Sequence, residues 1–178
     1  MIIRPETPAD KEAVRYVNEQ AFGRAGEADL VEALHARQQV IASLVAVQDD
    51  QAVQDGQQDG QIVGHILFSP VVVEAQAASH AAVALGPLAV LPQFQGQGIG
   101  SALVRRGLEV LRQNNYPLVV VLGHPEFYPR FGFSPASAFG IGCQFQVPDE
   151  VFMLAELSPG AAAAIKGTVV YPPEFNEV

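Results

Sequence analysis

A glycine-rich turn between a strand-like run and a helix-like run constrains this chain more than any other feature. The turn spans residues 95–101 and follows the apolar segment 82–90. Glycine lets a backbone take positive φ and approach a ligand closely, and the first N–H groups of a helix have no partner inside it. The order strand, turn, helix therefore predicts an anion site, with a phosphate or pyrophosphate as the expected ligand. The helix is predicted from apolar residues at helical spacing, namely Ala102, Leu103, Leu108 and Leu111.

Two common nucleotide motifs fit this turn poorly. A P-loop requires a lysine next to its serine or threonine, and none stands beside Ser101. A dinucleotide fingerprint requires a third glycine where Ser101 stands, and an acidic residue about 20 positions further on, which is missing. Nucleotide binding is therefore the weakest of the interpretations that we considered.

The turn resembles the acetyl-CoA motif of the GNAT superfamily of N-acetyltransferases. That motif reads [Gln/Arg]-x-x-Gly-x-[Gly/Ala], and it is filled here by Gln95, Gly98 and Gly100. In the family it follows a strand that ends in Leu-x-Val-x-Pro. The matching residues of this chain are Leu88, Val90 and Pro92.

A second segment strengthens the resemblance. Residues 127–133 read Phe-Tyr-Pro-Arg-Phe-Gly-Phe, after the apolar run 118–122, and resemble the family's aromatic-Tyr-x-x-x-Gly-Phe segment. In the family this tyrosine faces the thioester, and Tyr128 stands at its position. Many members also carry an asparagine just after the preceding strand, whereas Val121 stands at the matching offset here. The likeness covers residues 2–133.

The resemblance implies an α/β fold of the α+β type. We expect a single domain over residues 1–178, with a core at 1–133 and with C-terminal strands at 134–178 that complete the sheet. The sheet should be central, mixed and mostly antiparallel, and flanked by helices. Its strands 82–90 and 118–122 should run parallel and splay apart to form the acetyl-CoA cleft. The residues expected to bind acetyl-CoA are Leu88, Ala89, Val90, Gln95, Gly96, Gln97, Gly98, Ile99, Gly100 and Ser101.

The implied activity is transfer of an acetyl group from acetyl-CoA to a primary amine, by direct attack in a ternary complex. Gly86 and Pro87 interrupt the strand 82–90, and we interpret them as a bulge that directs the N–H of Leu88 at the ligand carbonyl. Tyr128 is the predicted general acid for the departing thiolate. The alternative for Tyr128 is an aromatic residue that only packs against its phenylalanine neighbours.

No strong general base is evident. Residues 81–90 contain no acid, so this role of the family cannot be carried over. Glu27 and Glu74 are candidates, and a chain of waters is an equal alternative. Phe22 and Glu27 bound the loop that lies beside the acceptor site in this family. We interpret His65 as a core histidine, because it lies in an apolar strand.

Composition excludes several other classes of protein. The chain has no apolar run of 18 residues, which excludes a transmembrane helix, and its start lacks a signal-peptide pattern. A net charge of −9 argues against a nucleic-acid surface and suits a cationic amine. The lone Cys143 fits a cytoplasmic protein, and the four scattered histidines give no metal spacing.

A rival hypothesis is a non-catalytic acyl-CoA-binding sensor or interaction module. Tyr128 favours the enzyme, and the missing base favours the rival. The acceptor amine, the general base, the choice between monomer and homodimer and the order of the C-terminal strands stay open at this stage.

Local patterns predict most of the elements. We expect strands at residues 2–5, 40–47, 61–73, 82–90 and 118–122, and helices at 8–22, 28–37 and from the glycine turn to about 114. The polar stretch 48–60 should be a hairpin loop. Short strand-like pieces are expected at Phe145, at Val147, at 152–154 and at 169–171.

Overall fold

The structure, a computed structural model, describes residues 1–48, 60–76 and 78–177. It contains three α-helices and nine strands within these ranges. The helices are α1 (Lys11–Phe22), α2 (Gly26–Ala36) and α3 (Ile99–Gln113). The strands are β1 (Ile2–Pro5), β2 (Ala42–Gln48), β3 (Gln61–Glu74), β4 (Ser79–Val90), β5 (Leu118–Leu122), β6 (Ser134–Pro135), β7 (Ile141–Cys143), β8 (Phe152–Glu156) and β9 (Gly167–Val170).

All nine strands belong to one mixed sheet. Its order is β1-β2-β3-β4-β5-β8-β6, and β9 pairs with both β3 and β7. The pairs β4–β5 and β7–β9 are parallel, and the other pairs are antiparallel. The predicted fold class, a mostly antiparallel sheet flanked by helices, is confirmed.

The strands β4 and β5 pair over a short stretch only. The residues Val83–Leu85 of β4 face Val119–Val121 of β5, and the ladder ends there although β4 continues to Val90. On its other edge β4 pairs with β3 along most of its length. The two parallel strands thus leave an opening beyond Leu85, as the splayed cleft requires.

A bulge in β4 lies at the start of this opening. Leu85 faces Phe68 of β3 and Leu88 faces Ile66, so two residues of β4, Gly86 and Pro87, stand opposite the single intervening residue of β3. Gly86 has φ of +156°, and the Gly86–Pro87 peptide bond is cis. The predicted bulge is confirmed, and it re-aims the backbone just before the last three residues of β4.

Helix α3 lies close against one face of the sheet because its inner surface has a glycine. A Cβ on Gly107 would lie 2.3 Å from two ring atoms of Phe68, so any larger residue would push the helix off the sheet. Side chains alternate between the two faces of a strand. His65, three residues before Phe68, therefore faces the opposite side, where it contacts Asn18 of α1. Helices α1 and α3 thus cover opposite faces.

The first helix begins later than its sequence pattern predicts. Residues Pro8–Asp10 form a 3-10 turn, and α1 starts at Lys11. Asp10 fixes this entry, because its carboxylate accepts hydrogen bonds from the Thr7 N–H (2.7 Å) and from two nitrogens of Arg4 (2.6 and 2.8 Å). The hydrogen bonds from Arg4 lower the pKa of Asp10 to about 2, although burial opposes this. Helix α1 ends at Phe22 and is capped by Gly23, whose φ of +69° suits glycine.

Other boundaries differ by a few residues from the predictions. Helix α2 covers Gly26–Ala36 instead of 28–37, and β4 begins at Ser79 instead of residue 82. Phe145 and Val147 do not lie in strands, so that prediction is wrong; the ring of Phe145 packs on Tyr171 at 5.4 Å, and Pro148 has no N–H for a ladder. The loop predicted at 48–60 falls almost entirely outside the described residues.

Candidate active site

A cleft of about 580 Å³ opens beside the carboxyl end of β4, and we call it the glycine-loop cleft. Its walls come from the end of β4, the turn that follows, the first residues of α3 and the segment after β5. It therefore lies at the place where β4 and β5 stop pairing. The lining residues are Leu88, Val90, Phe94, Gln95, Gly96, Gly98, Ile99, Gly100, Ser101, His124, Phe127, Tyr128 and Arg130.

The start of helix α3 presents backbone N–H groups to this cleft. The N-cap residue is Gly98 with φ of +83°, and no side chain caps the helix. Gly96 also has positive φ, at +74°. Because the first N–H groups of an uncapped helix have no partner, this end attracts an anion, and the helix dipole adds to the attraction. The side chain of Gln95 donates to the carbonyl of Val90 (3.0 Å) and so ties the turn to the strand.

Gly100 keeps the cleft open between β4 and Phe127. A Cβ on Gly100 would lie 3.7 Å from Phe127 Cζ, 3.7 Å from Val90 Cγ2 and 3.9 Å from Leu88 Cδ2. These are ordinary contact distances, so an alanine would fit, but a longer side chain would have to extend between β4 and Phe127. The absence of a side chain at this position leaves room for a ligand.

Tyr128 lies where β5 has ended and a 3-10 turn, Tyr128–Phe131, begins. Its ring meets Phe127 edge-on at 5.0 Å and Phe133 at 5.5 Å. The third contact is Gly123, where a Cβ would lie 2.2 Å from Tyr128 Cε2. Three neighbours thus fix the orientation of the ring.

The hydroxyl of Tyr128 is a hydrogen-bond donor at neutral pH. Only 6 % of the residue is exposed, yet it lines the cleft. Burial raises the pKa of Tyr128 well above its usual value, because the phenolate would lose its hydration. Its proton is therefore available to a group in the cleft that develops negative charge.

Arg130 and His124 line the cleft, and sequence reasoning missed both of them. The guanidinium of Arg130 lies 4.6 Å from the centre of the Phe127 ring and donates to the Phe127 carbonyl (3.1 Å). Arg130 supplies positive charge to the same cleft as the helix end. Its position inside the quoted aromatic segment, two residues after Tyr128, is a signal that could have identified it.

Two arginines of α3, Arg105 and Arg106, lie outside this cleft. Arg106 pairs with Glu109 at 2.7 Å, and Arg105 lies over the Phe131 ring at 5.4 Å. Neither residue lines the glycine-loop cleft.

Four of the residues predicted for the site are also not in the lining. Ala89 is buried and pairs with His65, so its side chain faces away from that of Leu88. Gln97 is exposed and donates to the Gln93 carbonyl (3.1 Å). Phe22, at the end of α1, is 40 % exposed, and Glu27 is buried in α2 and paired with Arg24.

No carboxylate lines this cleft among the residues that the structure describes. Glu74 is exposed at the far end of β3. His65 is buried as predicted and contacts Asn18 at 3.1 Å and Ser43 at 2.9 Å. Within the described ranges no three metal-ligating side chains cluster, and no helix is long and apolar enough to cross a bilayer.

In this site the start of helix α3 and the buried Tyr128 lie beside the splayed strands β4 and β5. Comparison with known proteins agrees with this arrangement. Residues 43–135 match the acetyltransferase (GNAT) domain. This match covers both halves of the cleft, from the end of β4 to the segment after β5. The chain belongs to the GNAT acetyltransferase family.

Relatives in the same family match over nearly the whole chain. The uncharacterised N-acetyltransferase YhbS of Escherichia coli K12 is 33 % identical over 176 residues, which is 99 % of each chain. The crystal structure of E. coli YhbS in complex with CoA superposes with a TM-score of 0.88 and covers 98 % of this chain and 91 % of that one. A GNAT acetyltransferase from Brucella melitensis in complex with acetyl-CoA is 34 % identical, with a TM-score of 0.76, and covers 98 % and 97 %.

Proposed function

We propose that this protein transfers the acetyl group of acetyl-CoA to a primary amine. The observation that carries the proposal is the meeting of an uncapped helix N-terminus and the Tyr128 hydroxyl in one cleft. Two solved relatives of at least 33 % identity hold CoA or acetyl-CoA, which supports the same ligand here. We further propose that residues 1–178 form one catalytic domain.

The cofactor fits the cleft by charge and by shape. Its pyrophosphate would accept hydrogen bonds from the N–H groups at the start of α3, with Ser101 at the site mouth and Arg130 adding positive charge. The pantetheine arm would extend along Leu88 and Val90, where β4 no longer pairs with β5. Gly100 leaves the space between these residues and Phe127.

The chemical step needs two hydrogen-bond donors from the chain. A neutral amine attacks the thioester carbonyl carbon, and the N–H of Leu88 stabilises the resulting oxyanion. The C–S bond then breaks, and Tyr128 donates to the departing sulfur. A buried phenol is a weaker acid than a thiol, so much of its effect comes from the hydrogen bond to the thiolate. The proton lost by the amine leaves through water, because no carboxylate of the described chain lines the cleft.

The direct test is release of free CoA thiol when the protein is mixed with acetyl-CoA and a panel of amines. The panel should contain amino acids, polyamines, aminoglycosides and peptides with free amino termini. The expected result is thiol release that depends on one class of amine, together with a product heavier than that amine by one acetyl group. Thiol release that no amine accelerates would argue against the transferase.

The second candidate function is a non-catalytic acyl-CoA-binding module, favoured by the lack of a carboxylate among the described residues that line the cleft. The two hypotheses predict different results for the Tyr128→Phe variant and for the consumption of amine. A sensor would be stabilised by acetyl-CoA, yet its Tyr128→Phe variant would bind and respond like the wild type, and no amine would be consumed.

A further inference from the structure

The structure contains a second cavity, of about 570 Å³. It opens between α1, α2 and the chain segment just after β1, and we call it the Glu6 cavity. It shares no lining residue with the glycine-loop cleft. Its volume is in the range of small-molecule sites. Apolar side chains form much of its wall, among them Val14, Ala28 and Val31.

One carboxylate dominates the cavity, that of Glu6, whose side chain is only 8 % exposed. The contacts made by this carboxylate all use the same oxygen, Oε2. It accepts from the Ser43 hydroxyl and lies 3.1 Å from His35 Nε2 and 3.5 Å from His65 Nε2. The second oxygen, Oε1, accepts no hydrogen bond from any residue that the structure describes. Oε1 is not one of the buried polar atoms that lack a partner, so solvent reaches it and it is open to a ligand in the cavity.

The buried histidine next to Glu6 does not neutralise its charge. Asn18 Nδ2 donates to the Val14 carbonyl (2.9 Å) and contacts His65 Nδ1 (3.1 Å), so the imidazole accepts at Nδ1 and carries its proton at Nε2, toward Ser43. Burial lowers the pKa of His65, and the neutral imidazole is therefore the form present at neutral pH.

Glu6 itself is ionised at neutral pH. Burial favours the acid form, but hydrogen bonds from His65 and Ser43 outweigh it, so the pKa of Glu6 lies below its usual range. Its neighbours at Oε2 are thus the neutral imidazole of His65, the ring of His35 and the Ser43 hydroxyl.

The cationic side chains at the mouth of the cavity are engaged by other acids. Lys11 Nζ lies 2.9 Å from Glu32. Arg15 pairs with Glu32 (2.8 Å), and also with Glu19 and Asp29 (2.9 Å each). Lys11 and Arg15 are thus compensated by these acids, which leaves the Glu6 carboxylate without a lysine or arginine partner.

We propose that the Glu6 cavity is a binding site for a small organic monocation, separate from the acetyl-transfer site. A primary ammonium group would donate to Glu6 Oε1, and the hydrocarbon body would lie against Val14, Ala28 and Val31. A neutral ligand of the same shape would lack the charge-assisted hydrogen bond. An anion would be repelled by the Glu6 carboxylate.

The test uses three probes of one shape: cyclohexylammonium, cyclohexanol and cyclohexanecarboxylate. Each is titrated into the full chain saturated with CoA, which occupies the glycine-loop cleft without allowing acetyl transfer. The imidazole Hε1 resonances of His35 and His65 report binding. The expected result is saturable binding of cyclohexylammonium, at least about tenfold tighter than that of cyclohexanol, with no binding of the carboxylate.

Two variants locate the binding. Glu6→Gln should weaken cyclohexylammonium about tenfold or more, whereas the matched control Glu12→Gln, an exposed acid elsewhere on α1, should leave it unchanged. Ala36→Phe narrows the cavity from an exposed position, so it should block binding without unfolding the chain, and it decides the question if Glu6→Gln does not fold. The proposal would be overturned by equal affinity for cyclohexanol, by Hε1 resonances of both histidines that do not move when cyclohexylammonium is added, or by binding that survives both variants. None of these results bears on acetyl transfer.

Discussion

The ring of Tyr128 lies directly on the bare Cα of Gly123. A Cβ at Gly123 would come within 2.2 Å of Tyr128 Cε2 and 2.9 Å of Cδ2, which no real pair of atoms tolerates. Phe127 and Phe133 hold the ring from two other directions. The position of the proposed acid therefore depends on Gly123, the residue immediately after β5.

Gly123→Ala should displace Tyr128 and destabilise the fold by about 1–3 kcal/mol, the usual cost of overpacking. The matched control is Gly142→Ala, where a Cβ meets its nearest neighbours at an ordinary 3.8 Å. Urea unfolding checks the stability, and turnover checks the position of the hydroxyl. If Gly123→Ala unfolds like Gly142→Ala and keeps full turnover, the ring has room to move and the contact is not restrictive.

Tyr128→Phe should reduce kcat by about 10²-fold and leave the KM for acetyl-CoA nearly constant, because only the hydroxyl is lost. Steady-state rates with an identified acceptor measure both values. Wild-type turnover in this variant, under conditions where the chemical step limits the rate, would assign Tyr128 to packing alone.

The pH profile provides a separate check on Tyr128. Burial raises the pKa of its phenol, so the hydroxyl stays protonated throughout the range in which the enzyme is normally assayed. We therefore expect the kcat of the wild type and that of Tyr128→Phe to change in the same way between pH 8 and 10. A fall in kcat near pH 9 that occurs in the wild type alone would show that the phenol ionises more easily than its burial implies.

Gly100→Leu should abolish acetyl-CoA binding without harming the fold. Leucine is a good helix former, and its side chain would occupy the space between Leu88, Val90 and Phe127. At a ligand concentration about 100-fold above its Kd, acetyl-CoA should stabilise the wild type by about 2.7 kcal/mol, and this gain should vanish in the variant. Thermal melts with and without acetyl-CoA measure the difference, and an unchanged melting temperature without ligand is the control. A variant that retains the full shift would place the cofactor elsewhere.

Stability should fall as the pH drops through the titration range of His65. Its folded-state pKa is lowered from 6.5 by burial, so the unfolded chain binds more protons below about pH 6.5, and acid favours unfolding. Glu6 acts in the same direction, because its pKa is lowered from 4.5, but its window lies below about pH 4.5. Urea midpoints at pH 7.5 and 5.5 therefore isolate the histidine.

His65→Leu should flatten this dependence between pH 7.5 and 5.5, whatever its effect on stability at neutral pH. A variant that loses as much stability on acidification as the wild type would place the titrating group elsewhere.

The cleft was largely predictable because its parts are local in sequence. The turn at residues 95–101 and the segment 127–133 each carry a short pattern, and the bulge at Gly86 and Pro87 follows from what glycine and proline do in a strand. Arg130 escaped prediction although it lies in the second segment, because a cation near an aromatic ring has no pattern of its own.

The Glu6 cavity was not predictable in the same way. Its carboxylate, its histidines and its apolar wall come from the segment after β1, from β3 and from helices α1 and α2, and only the tertiary fold brings them together. His65 illustrates the limit. Its burial follows from the apolar strand around it, but its partners Asn18 and Ser43 lie 47 and 22 residues away.

The three-residue ladder between β4 and β5 also divides the sheet mechanically. The strands β1–β4, β7 and β9 form one hydrogen-bonded block and β5, β6 and β8 another, and the register between the blocks is Val83–Leu85 against Val119–Val121. A ligand lying across the opening would act as a strap between the blocks. Its binding would then slow amide exchange in β5 and β8 as well as at the residues that it touches. The two blocks of the sheet would unfold together instead of separately.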